Sequence, residues 1–322
     1  MLDVMMHAQV GDDVFGEDPS VNRLEAYAAE LFDMEAALFC LSGTMSNQIA
    51  IKCHTQPGDE VICESKAHVC IYEGGGIAFN AGSQVRYMDG DRGRINAVQV
   101  RTAINSDDVH KPHTALVCLE NTSNRGGGSC YDFAEIEKIK EVCTENQLSL
   151  HLDGARLFNA LVAKQESPKQ YGHIFDSISV CLNKGLGCPM GSILLGKKTF
   201  IKKGRRVRKV FGGGLRQAGF VAAAGFFALE HHVKRLAEDH HKARLLAETL
   251  QGKEFVESIM PVETNIVSIQ VKLPHTPQNI AAMLKEQGLL CIAISPTQIR
   301  LVTHLDISEQ MLQKALVIIR DL

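Results

Sequence analysis

A lysine, an aspartate and two glycine-rich turns carry most of the chemistry this chain could do. Residues 176–192 read DSISVCLNKGLGCPMGS. The β-like run Ile178-Ser-Val-Cys-Leu182 ends in Asn183 and Lys184, and Gly185, Gly187, Pro189 and Gly191 follow. A lysine amine on the lip of a buried strand can form a Schiff base with a carbonyl once burial and neighbours lower its pKa. The same pattern also describes a surface lysine at a strand end. One expected strand earlier, His151-Leu-Asp-Gly-Ala-Arg156 places Asp153 where an apolar run stops. In an open parallel sheet that edge faces the ligand crevice. A carboxylate there could pair with a protonated ring nitrogen, cap a turn or pair with Arg156.

Two further segments suit anions. Leu41-Ser-Gly-Thr-Met-Ser-Asn47 opens a helix after an apolar run, and free N–H groups at such a start bind phosphate, with Gly43 and Thr44 admitting close approach. It serves equally as an ordinary N-cap, and it is not a Walker loop. Phe211-Gly-Gly-Gly-Leu-Arg-Gln217 follows the basic run KKGRRVRK at 202–209, and Arg216 is placed to grip an anion. The basic run itself reads as a solvated helix face. A strand-end Asp, then a strand-end Lys, with a phosphate cradle upstream, is the order used by pyridoxal 5'-phosphate (PLP) enzymes of the aminotransferase-like fold.

The elements that must position these residues alternate. Residues 20–32 carry Val21, Leu24, Ala28 and Leu31 at helical spacing. Short apolar runs at 36–41, 61–63, 85–87, 116–119 and 148–152 read as strands, and Phe133, Ile136, Ile139 and Cys143 mark a helix between the last two. Ile49 and Ile51 should point inward from the helix after Gly43. This alternation predicts an α/β large domain with a mainly parallel sheet over 1–230. Residues 217–251 predict one or two long helices leaving the sheet. From 231 to 322 the texture suits a small C-terminal α+β domain. Its expected elements are a half-exposed strand at 264–271, a helix at 277–287, strands at 289–294 and 299–302, and a closing helix at 311–319.

Composition narrows the class. With 322 residues and 45% hydrophobic content the chain can bury a large core. A net charge of -3 gives no sign of a nucleic-acid partner. Ten cysteines without a C-x-x-C pair fit a reducing compartment, and no run suits a membrane span or signal peptide. A cytoplasmic location and a small-molecule substrate are expected. No metal site is expected either; the pairs His231–His232 and His240–His241 read as helix surface. Glu17 and Asp18 suit charge pairing or a cap.

The whole set of motifs resembles the low-specificity L-threonine aldolases, a PLP-dependent family of fold type I. The matching segments are GDDVFGEDPSVNRLE (11–25), LSGTMSNQIA (41–50), Ala67–His68 with YEGGG (72–76) and LENTSN (119–124). HLDGARLFNA (151–160), CLNKGLGCPMGS (181–192), RKVFGGGLRQAG (208–219) and RLVTHLD (300–306) continue the order. The resemblance implies retro-aldol cleavage of threonine to glycine and acetaldehyde. It makes Lys184 the Schiff-base lysine, Asp153 the partner of the pyridine nitrogen, and Arg156 a neighbour of the phenolic oxygen. Gly43 and Thr44 would bind the phosphate, with Lys209 and Arg216 reaching in from a neighbouring subunit of a homodimer or homotetramer. His68 would lie on the ring and act near the substrate hydroxyl, and Arg300 would hold the α-carboxylate.

Two departures from the family pattern bear on the substrate. Family members usually begin with a segment of the type D-L-R-S-D-T, whose serine helps to bind the carboxylate, and this chain starts after it. Ser123, expected with Arg300 among the substrate-binding residues, stands where L-E-N-T-H-N has a histidine near the substrate's hydroxyl, which shifts the work of a base to His68 or water. Other readings compatible with these departures are a different PLP-dependent amino-acid lyase, a PLP-binding pseudoenzyme and an N-terminally truncated inactive form.

Overall fold

The computed structural model describes residues 1–322. Seven strands form the main sheet: Ala36–Cys40 (β1), Glu60–Glu64 (β2), Gln84–Met88 (β3), Thr114–Glu120 (β4), Ser149–Gly154 (β5), Ser177–Cys181 (β6) and Ser192–Gly196 (β7). Their order is β1-β7-β6-β5-β4-β2-β3. Only β7 runs against the others. Every residue of β2, β4, β6 and β7 is buried, as a sheet covered by helices on both faces requires. Because β1, β2, β4, β5 and β6 point the same way, the residues that follow them emerge at one edge. Gly43, His68, Asn124, Asp153 and Lys184 all lie there.

Local chemistry sets the helix starts. Ser42 caps the helix Gly43–His54 by accepting the Met45 amide at 3.1 Å. Asp18 caps Pro19–Phe32 through Val21 N, and its carboxylate also accepts Gly219 N at 2.9 Å and Gly11 N at 3.2 Å. It is a cap and a tie between distant segments at once. Ile49 and Ile51 are fully buried, as their spacing requires.

The stretch after 217 forms two helices, Gly219–His231 and Leu236–Leu250. Leu229 and Leu236 pack into the large core, whereas Ala243, Leu246 and Leu250 pack into a second core. That second core is closed by the antiparallel sheet β10-β11-β9-β8, made of Val256–Ile259 (β8), Ile266–Val271 (β9), Ile292–Ser295 (β10) and Gln298–Val302 (β11).

Four local expectations are corrected. β8 is an extra edge strand, half-exposed and without an apolar run to mark it. β9 is buried on both faces rather than half-exposed. Val267 and Ile269 enter the small core, while Ile266 and Ser268 cover the loop at Gly127 and Gly128 of the large domain. The basic helix Lys198–Val210 is only partly solvated. Arg208 is buried and donates to Asp13 at 2.6 Å and to the Phe39 carbonyl at 2.7 Å, and Arg205 pairs with Glu25. His240 is buried too: Asn159 Nδ2 donates to its Nε2 at 3.1 Å, and burial pushes its pKa down to about 4, leaving a neutral ring. His232 is half-buried and bonds the Leu186 carbonyl at 2.7 Å, beside the lysine turn.

Candidate active site

Two adjoining cavities share Asn183 and Lys184. The first, about 180 Å³, is lined by Ser42, Gly43 and Thr44 at the helix start, by Asp153 at the end of β5, and by His68. The amides of Gly43 and Thr44 open a twelve-residue helix and have no carbonyl a turn earlier to bond, so this end attracts an anion. Glycine suits position 43: a Cβ there would meet Cys181 Sγ at 2.5 Å and force that side chain to move. The second cavity, about 310 Å³, holds Arg156 beside the lysine turn and reaches His304 of the small domain.

Asp153 is 2% exposed at the end of β5. Its Oδ1 accepts Ala155 N at 3.1 Å, and its Oδ2 accepts Asn47 Nδ2 at 2.9 Å. Burial, and then the nearby Glu73 carboxylate, push its pKa up, while His68 opposes that. Such a carboxylate gains most from a cation or an N–H brought to it. Asn47 Nδ2 also donates to Glu73 Oε1 at 2.9 Å, and the same oxygen meets His68 Nδ1 at 2.9 Å. His68, Glu73 and Asp153 thus offer polar atoms within 4.8 Å of one another. The hydrogen bond to Glu73 holds the His68 pKa above the ordinary histidine range, against the opposing effect of burial. With Nδ1–H committed to Glu73, the His68 atom free to exchange a proton is Nε2.

Glu120, at the end of β4, fixes two site segments. It accepts the amides of His68 and Asn124, each at 2.9 Å. Burial pushes its pKa up to about 7. Asn124 in turn gathers two guanidinium groups: Arg300 Nη1 donates to Asn124 Oδ1 at 2.6 Å and Arg156 Nη1 to the same atom at 3.5 Å. The Nε atoms of both arginines are buried without a partner. Burial lowers the pKa of each, and the neighbouring Arg300 charge lowers that of Arg156 further. Two part-buried guanidinium groups that hydrogen-bond no carboxylate are suited to receive one.

The sequence-derived residues Lys184, Asp153, Gly43, Thr44, His68, Arg156 and Arg300 therefore converge on this edge. Three others do not join them within the chain. Lys209 lines a separate surface cavity with Val14 and Lys202. Arg216 pairs with Asp12 and packs near the Phe15 ring. Ser123 is buried behind the site, its hydroxyl accepting Gly126 N at 3.1 Å. Asn47, Glu73, Glu120 and Asn124 join this hydrogen-bonded cluster, and spacing did not single them out. For Asn47, one of several polar residues at the start of its helix, no signal stood out; for Glu73 and Asn124 the signal was their places in YEGGG and LENTSN.

Residues 1–274 match the family described as beta-eliminating lyase. A probable low-specificity L-threonine aldolase 2 from Arabidopsis thaliana is 41% identical over 318 residues, covering 96% of this chain and 89% of that one. The low specificity L-threonine aldolase of Escherichia coli (strain K12) is 42% identical over 316 residues, covering 97% and 92%. Among solved structures, the Leishmania major threonine aldolase superposes with a TM-score of 0.85 at 21% identity, covering 99% of this chain and 94% of the other. A putative L-allo-threonine aldolase from Listeria monocytogenes gives 0.83 at 22% identity, covering 100% and 93%. The aminotransferase-like α/β fold with a small C-terminal domain is thus shared. The chain belongs to the beta-eliminating lyase family and, within it, to the PLP-dependent low-specificity L-threonine aldolases.

Proposed function

We propose that this protein cleaves L-threonine and L-allo-threonine between Cα and Cβ, giving glycine and acetaldehyde. The observation that carries the reading is the pair Arg156 and Arg300 held on Asn124, neither hydrogen-bonded to a carboxylate, with Arg156 lining the cavity that Lys184 borders. It is a carboxylate receptor next to an amine. The polarity of the first cavity suits PLP: helix amides for a phosphate, a buried carboxylate for a ring nitrogen, and a glycine at the helix start where a Cβ would crowd Cys181. Lys184 would hold the aldehyde carbon, Asp153 the ring nitrogen, Gly43 and Thr44 the phosphate, His68 a face of the ring, and Arg156 the phenolic oxygen. Bound there, PLP supplies an electron sink for the pair released when Cα–Cβ breaks.

The remaining roles belong to this chain. Arg300 would hold the substrate carboxylate through its free guanidinium N–H groups and so fix the orientation of Cα. His68 Nε2 takes the proton of the β-hydroxyl while Glu73 holds Nδ1 and steadies the charge that results. Ser123, with its hydroxyl turned to Gly126, takes no part in this transfer. Lys209 and Arg216 serve the phosphate of a neighbouring subunit, in a homodimer or homotetramer; their exposure away from the chain's own cavity supports this. A cytoplasmic enzyme is consistent with ten free cysteines, and no helix is long and apolar enough to cross a membrane.

Incubation of the PLP-loaded protein with threonine and allo-threonine tests the reading. Equimolar glycine and acetaldehyde are expected; 2-oxobutyrate in their place would move the assignment to an eliminating lyase. Arg300→Lys should lower kcat/KM for threonine about 10- to 100-fold, the worth of a lost charge-assisted bond, and leave PLP affinity unchanged. A loss of PLP affinity with threonine kinetics intact would place Arg300 on the cofactor instead.

A further inference from the structure

Between the helix Gly43–His54 and the sheet runs a buried polar string that the cleavage chemistry does not use. From Asp153 Oδ2 it passes to Asn47 Nδ2 at 2.9 Å, and from Asn47 Oδ1 to His151 Nε2 at 3.2 Å. His151 Nδ1 lies 2.8 Å from Ser177 Oγ, which lies 2.8 Å from His54 Nε2. Asn47, His151 and Ser177 are all at most 1% exposed. Buried polar groups this deep are costly unless each is matched donor to acceptor, so the proton order can be worked out along the string.

The Asn47 amide group faces two carboxylates, Asp153 and Glu73, and must present its NH₂ to both. Its oxygen is then left facing His151 Nε2, which has to be the N–H. Burial pushes the His151 pKa down to about 3, so the ring is neutral and carries one proton only. Nδ1 is therefore a bare acceptor, and the Ser177 hydroxyl must donate to it. That leaves Ser177 Oγ to accept from His54 Nε2–H. His54 is held neutral as well, its pKa pushed down to about 4 by burial, and its ring stacks on Phe200. Every bond in the string donates toward Asp153.

We infer that Asn47, His151, Ser177 and His54 form a one-way line of hydrogen bonds that locks Asp153 as an acceptor toward the cofactor's ring nitrogen. They are positioning residues acting through Asp153, and the role toward the cofactor rests on the PLP reading above. The charged and titratable groups around Asp153 itself are Glu73, His68, Glu120, Arg156, Cys118 and Cys181; those around His54 are Asp176, Lys140 and Lys203. None of them interrupts the string, whose internal members are all uncharged.

Nitrogen-15 NMR of the imidazole rings in the PLP-free protein tests the proton order without any turnover. Between about pH 5 and 8 His151 is expected to stay neutral, with its proton on Nε2. A proton on Nδ1, or a titration in that window, would overturn the inference. Ser177→Ala removes the only donor to His151 Nδ1. It should raise the Nδ1–H fraction, weaken PLP binding about 5-fold and shift the absorption maximum of the bound cofactor. His54→Leu should move the same readouts in the same direction, and His54→Gln, which keeps a donor, should restore them. Unchanged PLP affinity and spectrum in Ser177→Ala contradict the role. A wild type with the expected tautomer that takes up no PLP would instead sink the reading of the site, so the two failures are distinct.

Discussion

Lys184→Ala is expected to abolish threonine cleavage, lowering kcat by at least about 10³-fold, within the range a single positioned proton-transfer group contributes. Lys184 borders both cavities and is exposed in the single chain, so its truncation leaves the two cores untouched. The variant should therefore fold and melt like the wild type while losing the visible colour of lysine-bound PLP. Absorbance spectra after reconstitution, run beside acetaldehyde release, separate these effects. Residual activity within tenfold of wild type would show that another amine serves. The prediction is sharp because the remaining site, Asp153, His68 and the helix amides, does not depend on Lys184 for its hydrogen bonds.

The second large effect concerns His68. His68→Asn should lower kcat by about 10²- to 10⁴-fold, the usual contribution of a general base. It also predicts the shape of the pH profile. The hydrogen bond to Glu73 stabilises the charged ring and raises its pKa, so the charged form survives to higher pH than in a free histidine. A base must be neutral. Activity should therefore fall as pH falls through this raised value, and the acid limb should lie above the ordinary histidine range. For stability the sign is opposite: the ion pair contributes fully below the unfolded pKa and its contribution is lost as pH rises through the folded one. Glu73→Gln should shift the acid limb downward. An acid limb that stays in place in Glu73→Gln would mean that the base is another group.

Much of the frame was legible because strands leave short, local signatures. Apolar runs ending in Asp153 and Lys184 mark strand ends wherever the rest of the sheet lies, and parallel order then forces those ends to one edge. The long-range part was not legible. Asn47 reads as one of several polar residues near a helix start; only the fold shows that the helix lies across β5 and β6 and turns Asn47 onto Asp153 and His151. His240 failed in the opposite direction: two adjacent histidines look solvated, yet the helix carrying them packs on Asn159. β9 misled for a similar reason, since its polar Ser268 faces another domain's glycine loop and not water. Ser123 sits deeper than its place in LENTSN suggests: it is buried, and its oxygen accepts Gly126 N within its own turn.

The account stands on one covalent attachment. PLP added to the purified protein and trapped with borohydride should yield, after proteolysis and mass spectrometry, a single pyridoxyl-modified peptide bearing the label on Lys184. Label on another lysine, or none on a wild type that is otherwise folded, would contradict the account at its centre.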